Sequence, residues 1–165
     1  MAWTSPRTWV NDEPLTADQL NTHLRDNLNA LKSPPSASVL LDEPSDYITT
    51  ATSFVDIDPA RLGLTLTTSG GDLLVGFFGV VVISSYYAFF NLAVDGVAVA
   101  ADDGLTAATP NQDSVSFVYL LSGLAAGVHT IRLQWCVSGS SARLYAGAGT
   151  ASRDLHPQFW AREVS

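Results

Sequence analysis

At 165 residues the chain has room for one domain and an appendage, and a body of about 120 residues can bury roughly two-thirds of the surface its unfolded form exposes. A formal net charge of −8 argues against nucleic acid as a partner, because too few cations are present to neutralise phosphates. The single cysteine excludes an internal disulfide, and 15% charged residues against 47% hydrophobic ones predict a surface partly hidden in subunit contacts.

Residues 1–15 carry Trp3, Pro6, Trp9 and Pro14 without helical or strand periodicity and read as an extended arm. The start lacks a basic stretch followed by an apolar run, which predicts synthesis in the cytoplasm without a signal peptide. The two tryptophans either anchor the arm to another surface or fold back on the chain's own helix, since amphipathic rings serve both ends. Thr16 and Gln19 have capping-box spacing, with Leu15 and Leu20 placed as a hydrophobic staple, so a helix is predicted from Ala17 to about Lys32. Leu20, Leu24, Leu28 and Leu31 make a narrow stripe, closer to a coiled-coil seam than to a broad core face. Asn21 or Asn27 falls at a seam position in either register, and His23, Arg25, Asp26 and Asn29 occupy the opposite, solvated face. So short a helix is marginal alone and must pack on a partner. Ser33-Pro34-Pro35-Ser36 ends it as a stiff linker, dividing an attachment segment, 1–36, from a body, 37–165.

The body alternates. Leu62, Leu64 and Leu66 share one face, as do Val115, Phe117, Tyr119 and Leu121, and His129, Ile131, Leu133, Trp135 and Val137. Strands are predicted at 47–57, 61–68, 72–83, 86–95, 97–101, 114–122, 128–138, 141–148 and 159–164, separated by turn signals such as Asp95-Gly96 and Ser122-Gly123. Many short strands without intervening helices predict an all-β fold, a jelly-roll-like antiparallel β-sandwich preceded by the arm and one α-helix. The window Leu73–Ile83 is too short to span a bilayer and is broken by Gly76 and Gly79, so it reads as a buried strand and not as a membrane insertion. Apolar residues on both faces of 72–94 require cover on both sides. That requirement, with Trp135, nominates Phe77, Phe78, Tyr86, Phe89, Phe90 and Trp135 as an oligomer interface.

Residues with chemical potential read more simply as structure. Asp56 and Asp58 share one face of a strand end, but Pro59 makes a turn the better account. Asp95, Asp102 and Asp103 lack EF-hand spacing and fit loop capping. His23, His129 and His156 lie far apart without ligand spacing, and His129 on an apolar strand face is read as a hydrogen-bonded core or interface residue. No basic neighbour stands beside Cys136 to activate it. No nucleophile elbow is present, and Gly147-Ala148-Gly149-Thr150 lacks the lysine of a phosphate loop. The expectation is therefore a chain without catalytic residues, metal or cofactor. A module gripping a surface glycan through loops 102–113 and 138–142 is the alternative, although those loops contain no aromatic to stack on a sugar.

Trp3-Thr4-Ser5-Pro6-Arg7-Thr8-Trp9, then Leu15-Thr16-Ala17, Gln19-Leu20-Asn21 and Leu24-Arg25-Asp26-Asn27-Leu28 with Leu31, resembles the N-terminal segment of small virion proteins of tailed bacteriophages. Ser53-Phe54-Val55-Asp56-Ile57-Asp58 and the run Gly123 to Trp135 resemble the jelly-roll domain of phage head- and tail-decorating proteins. The resemblance implies a non-enzymatic structural protein of the virion: a decoration, head-fibre or tail-fibre component, homotrimeric and bound to capsid or tail proteins. Trp3, Trp9, Leu20, Leu24, Leu28 and Leu31 would attach it, and the jelly roll would project outward. A host surface glycan is a further possible partner for a protein of this kind.

Overall fold

A computed structural model describes residues 4–164. The arm runs without regular structure to Thr16, whose hydroxyl accepts the Gln19 amide while the Gln19 side chain accepts the Thr16 amide, so the capping box forms. The segment that follows is not one uniform α-helix. Helix α1 (Ala17–Leu20) widens into a π-helical stretch, Asn21–Asp26, before α2 (Asn27–Lys32) resumes. The stretch closes at Asn27, whose backbone amide donates to the Leu24 carbonyl and whose side-chain amide donates to the His23 carbonyl at 3.3 Å.

Among the described residues twelve strands follow: β1 (Ser36–Leu40), β2 (Tyr47–Thr49), β3 (Val55–Asp56), β4 (Gly63–Thr68), β5 (Gly71–Ile83), β6 (Ala88–Val94), β7 (Val97–Ala98), β8 (Thr106–Ala108), β9 (Asn111–Leu124), β10 (Gly127–Val137), β11 (Ala142–Leu144) and β12 (Gln158–Glu163). They form two antiparallel sheets. In the first, β5 is central: β9 pairs along one side, while β12 and β11 lie end to end along the other and carry β1 and β2 outside them. In the second, β10 pairs with β4 and β3 on one side and with β6 on the other, and β6 carries β7 and β8. The architecture is a jelly-roll-like β-sandwich with one short helical segment.

The predicted 47–57 divides into β2 and β3, and β1 begins inside the expected linker. Pro35 is no free spacer, since its carbonyl accepts the Glu163 amide at 2.9 Å and Ser36 pairs with Arg162. One glycine-bearing turn shows local necessity. Asp95 (φ 50°) and Gly96 (φ 82°) are both left-handed at the β6–β7 hairpin, as a tight Asp-Gly turn requires.

The core lies between the sheets and is crossed by an aromatic row. Phe117 tilts against Phe77 at 6.0 Å, Phe77 stacks on Phe90 at 5.9 Å, and Phe90 meets Trp135 at 6.3 Å. Phe77, Phe90 and Trp135 are buried. They join Leu62, Leu73, Leu92, Ile131 and Leu133 in the core cluster, where full burial of such a side chain stabilises by about 1.5–3 kcal/mol. This corrects the sequence reading for those three residues: the inner face is covered by the facing sheet of the same chain, so they lie in the core and not on the surface.

Candidate interaction surfaces

The arm folds back on the helical segment. Asn27, buried, presents its carboxamide to the arm backbone: the Thr4 amide donates to Asn27 Oδ1 and Asn27 Nδ2 donates to the Thr4 carbonyl, each at 2.9 Å. Trp9 sits edge-on to His23 with ring centres 6.1 Å apart, Arg7 lies 5.1 Å from the Trp9 ring centre, and Arg7 pairs with Glu13. Asn27 therefore ties the arm down instead of setting a coiled-coil seam, and His23 is covered instead of solvated. Trp3 lies outside the described residues.

The leucine stripe is only partly covered by the arm, with Leu20 and Leu24 lining a hollow beside Trp9, Val10 and Leu15. Leu20 is 39% exposed, Leu24 50%, and Leu28 and Leu31 each 64%. The helix thus meets its own arm through Asn27 and His23, while Leu28 and Leu31 stay the most exposed of the stripe. At the end of α2, Ala30 and Leu31 meet Pro34, Pro35, Leu74 and Trp160 around an open apolar groove of about 710 Å³. The floor is the outer face of the first sheet. Trp160 lies over Gly76, where a Cβ would come within 2.5 Å of three indole atoms, so only glycine admits the ring. Val118 pairs with Gly76, Leu120 with Leu74, and Phe78 lies one outward position along β5. Val118, Leu120, Phe78 and Leu40 are all exposed, so this face carries an apolar patch on β9, β5 and β1, with Ser116, Gln158 and Arg162 set among it. The period-two alternation of β9 does not mark Val118 or Leu120, nor Leu74 or Trp160 on the neighbouring strands, as an exposed apolar patch, because the same alternation fits a solvated outer face.

Of the remaining interface candidates, Phe78 belongs to this surface. Tyr86 is exposed at the turn between β5 and β6, and Phe89 is half-buried on the outer face of the second sheet, stacked 6.3 Å from Tyr87. The structure therefore brings only Phe78 of the six nominated residues to the apolar face.

Asp56, Asp58, Asp95 and His129 are each engaged structurally. Asp56 accepts from Arg132 Nη1 at 3.0 Å and Gln134 Nε2 at 2.8 Å. Asp58 caps the following turn by accepting the Ala60 and Arg61 amides and also takes the Tyr47 hydroxyl at 2.9 Å. Burial opposes ionisation of Asp58, yet those donors together hold its carboxyl below the usual range. His129 joins two turns: Nδ1 stands 2.7 Å from Asp95 Oδ2, and Nε2 stands 2.9 Å from the Ala125 carbonyl. Asp95 lifts His129 above its ordinary value, with the Ala125 carbonyl second. Burial, with Asp103 adding a little, pushes the Cys136 thiol up, the wrong direction for a nucleophile. Among the described residues no group of His, Cys, Asp and Glu is arranged to hold a metal, and no helix is long and apolar enough to cross a membrane.

No protein-family model and no curated protein matches the chain. Solved structures similar to it include the globular domain of zebrafish complement 1qA protein, 14% identical with a TM-score of 0.47 over 81% of this chain and 98% of that one. Also similar is the chain of infectious bursal virus-derived T=1 particles, 14% identical with a TM-score of 0.43 over 81% of this chain and 37% of that one. The VP2 subviral particle of infectious bursal disease virus is 13% identical with a TM-score of 0.39, over 81% and 38%. This chain thus spans well under half of either viral chain. At such identities the likeness concerns the sandwich alone.

Proposed function

We propose that the chain is a non-enzymatic structural protein of a tailed-bacteriophage virion, a decoration or fibre component that docks to capsid or tail proteins through its arm and helix. Its sandwich self-associates, as a homotrimer, through the apolar outer face of the first sheet. The observation that carries this reading is the leucine stripe, 39–64% exposed on a helix whose capping groups and buried Asn27 are already satisfied inside the chain. Cover by a partner stabilises such an edge, by about 25 cal/mol for each Å² of apolar surface taken from water. The sequence motif of the arm and helix supports the virion assignment, and the low charge fraction agrees with a surface meant for packing.

Incorporation tests it. Particles assembled with the full chain, or with a Leu24→Asp/Leu28→Asp variant, are sedimented and assayed for the protein. Co-sedimentation of the full chain with loss of the variant is expected. Equal incorporation of both would remove the attachment role of the helix, and absence of both from particles would remove the virion assignment.

A further inference from the structure

The end of the sandwich remote from the arm carries a second surface. The apolar groove lies at Leu74, and β5 runs nine residues from there to Ile83, about 30 Å at the rise of an extended strand. Beyond Ile83 the chain turns through Ser84-Ser85-Tyr86-Tyr87, and the β10–β11 turn, Ser138-Gly139-Ser140-Ser141, stands beside it. The two turns are pinned together. Ser84 and Ser140 share a hydroxyl hydrogen bond of 2.6 Å, the Ser138 amide donates to the Tyr87 carbonyl at 3.0 Å, and the Tyr87 amide donates to Ser138 Oγ at 3.1 Å.

Those bonds hold Tyr86 at φ 70°, a left-handed backbone that a bulky L-residue rarely adopts. The consequence is a displayed ring. One side of Tyr86 packs on Gly139, where a Cβ would meet three ring atoms at 3.0–3.3 Å, and the residue is still 59% exposed. Tyr87, 49% exposed, is held by stacking on Phe89 with 30° between the ring planes. Two tyrosines fixed in this way offer contact area without the entropy of flexible chains. No ionisable acid or base occurs in 84–90 other than the tyrosines, and none occurs in 138–142, although the chain carries a net charge of −8. A charged ligand would find no counter-charge in these two segments. A neutral ligand with hydroxyls on its edge and a C–H face would find aromatic faces and serine hydroxyls together.

We propose that this rim binds a neutral saccharide, a pyranose stacking its C–H face on Tyr86 or Tyr87 while the serines of the two turns meet its hydroxyls. Neither loop 138–142 nor loop 102–113 supplies an aromatic, and the structure shows that loop 84–87 brings two to the first of them. The site shares no residue with the helix stripe or the groove, so it stands or falls separately from the attachment reading.

The experiment is a glycan array carrying neutral hexose and N-acetylhexosamine oligosaccharides beside sialylated and sulfated ones, probed with the full chain. Retention on neutral glycans is expected, with about ten-fold weakening in Tyr86→Ala and in Tyr87→Ala. Tyr86→Phe, which keeps the ring, should retain binding. Thermal melting of each variant shows whether the fold survives. Should Tyr86→Ala fail to fold, Tyr87→Ala and Tyr86→Phe decide the matter. Binding to no glycan, binding confined to acidic glycans, or undiminished binding by folded alanine variants would each overturn the proposal.

Discussion

Two side chains make long-range connections whose removal has a definite sign. Asn27 satisfies both polar groups of the Thr4 peptide across 23 residues of sequence. Asn27→Leu would leave that donor and acceptor to water and release the arm, at a cost of about 1–3 kcal/mol. Amide hydrogen exchange should show protection lost at Thr4 and around Trp9 while the sandwich stays unchanged; unaltered exchange in the arm would show that Trp9 and Arg7 suffice to hold it. His129 makes the second connection. With its proton held above the ordinary value of 6.5, the folded state binds that proton more tightly than the unfolded chain does. Its contribution is therefore whole below pH 6.5 and is lost as pH rises through the raised value. Asp95 has the opposite sign. The Thr130 amide and the His129 ring hold its carboxyl below 3.8, so its contribution is whole above that pH and is lost on further acidification. Melting temperature measured from pH 5 to pH 8.5 should fall more for the natural chain than for His129→Gln. Parallel curves would mean that the ring contributes equally in both protonation states.

At the level of elements, β5 and β12 are fitted to each other on the outer face as closely as the core residues are inside. Gly76→Ala puts a methyl where the Trp160 indole lies, within 2.3–2.5 Å of three ring atoms. Either the ring leaves the sheet or the strands part, and overpacking of this kind costs about 1–3 kcal/mol. Intrinsic tryptophan emission should shift to the red and the melting temperature should drop; an unchanged spectrum would place Trp160 elsewhere in solution. The same strand shows how far a sequence can be read. The alternation of β4, β9 and β10 was legible because each has one face in the core. In β5, apolar residues stand on both faces, and pattern alone does not say which face the second sheet covers. Phe77 and Phe78 are equivalent on paper, yet one is buried and the other is 50% exposed. Strand β1 escaped notice because Ser36-Ala37-Ser38 after two prolines has the composition of a linker, and its pairing with β12 joins distant stretches of sequence, from Ser36 with Arg162 to Leu40 with Gln158. The π-helical stretch was equally hidden, since it accompanies the Asn27 contacts with His23 and the distant Thr4 backbone. The tip tyrosines were visible as residues but not as a pair beside the Ser138–Ser141 turn, a juxtaposition made by the sandwich topology.

For the whole molecule, the apolar outer face of the first sheet and the leucine stripe are two separate demands for cover, and their separation can be measured. The sheet face, with Phe78, Val118 and Leu120, belongs to the rigid body, whereas the stripe belongs to a helix that meets the body at its last turn and the two prolines. If the sheet face makes the homotrimer and the helix makes the attachment, changes to each should separate assembly from docking. Light scattering on the full chain should give three times the 17.5 kDa protomer. Val118→Asp with Leu120→Asp places two charges on positions already exposed in the monomer, so folding should survive while the trimer dissociates. Leu24→Asp with Leu28→Asp should leave the trimer intact and abolish incorporation into particles. The reverse pattern, with the helix variant monomeric and the sheet variant trimeric, would move the oligomer axis to a bundle of the helices and make the sheet face the surface that meets the particle.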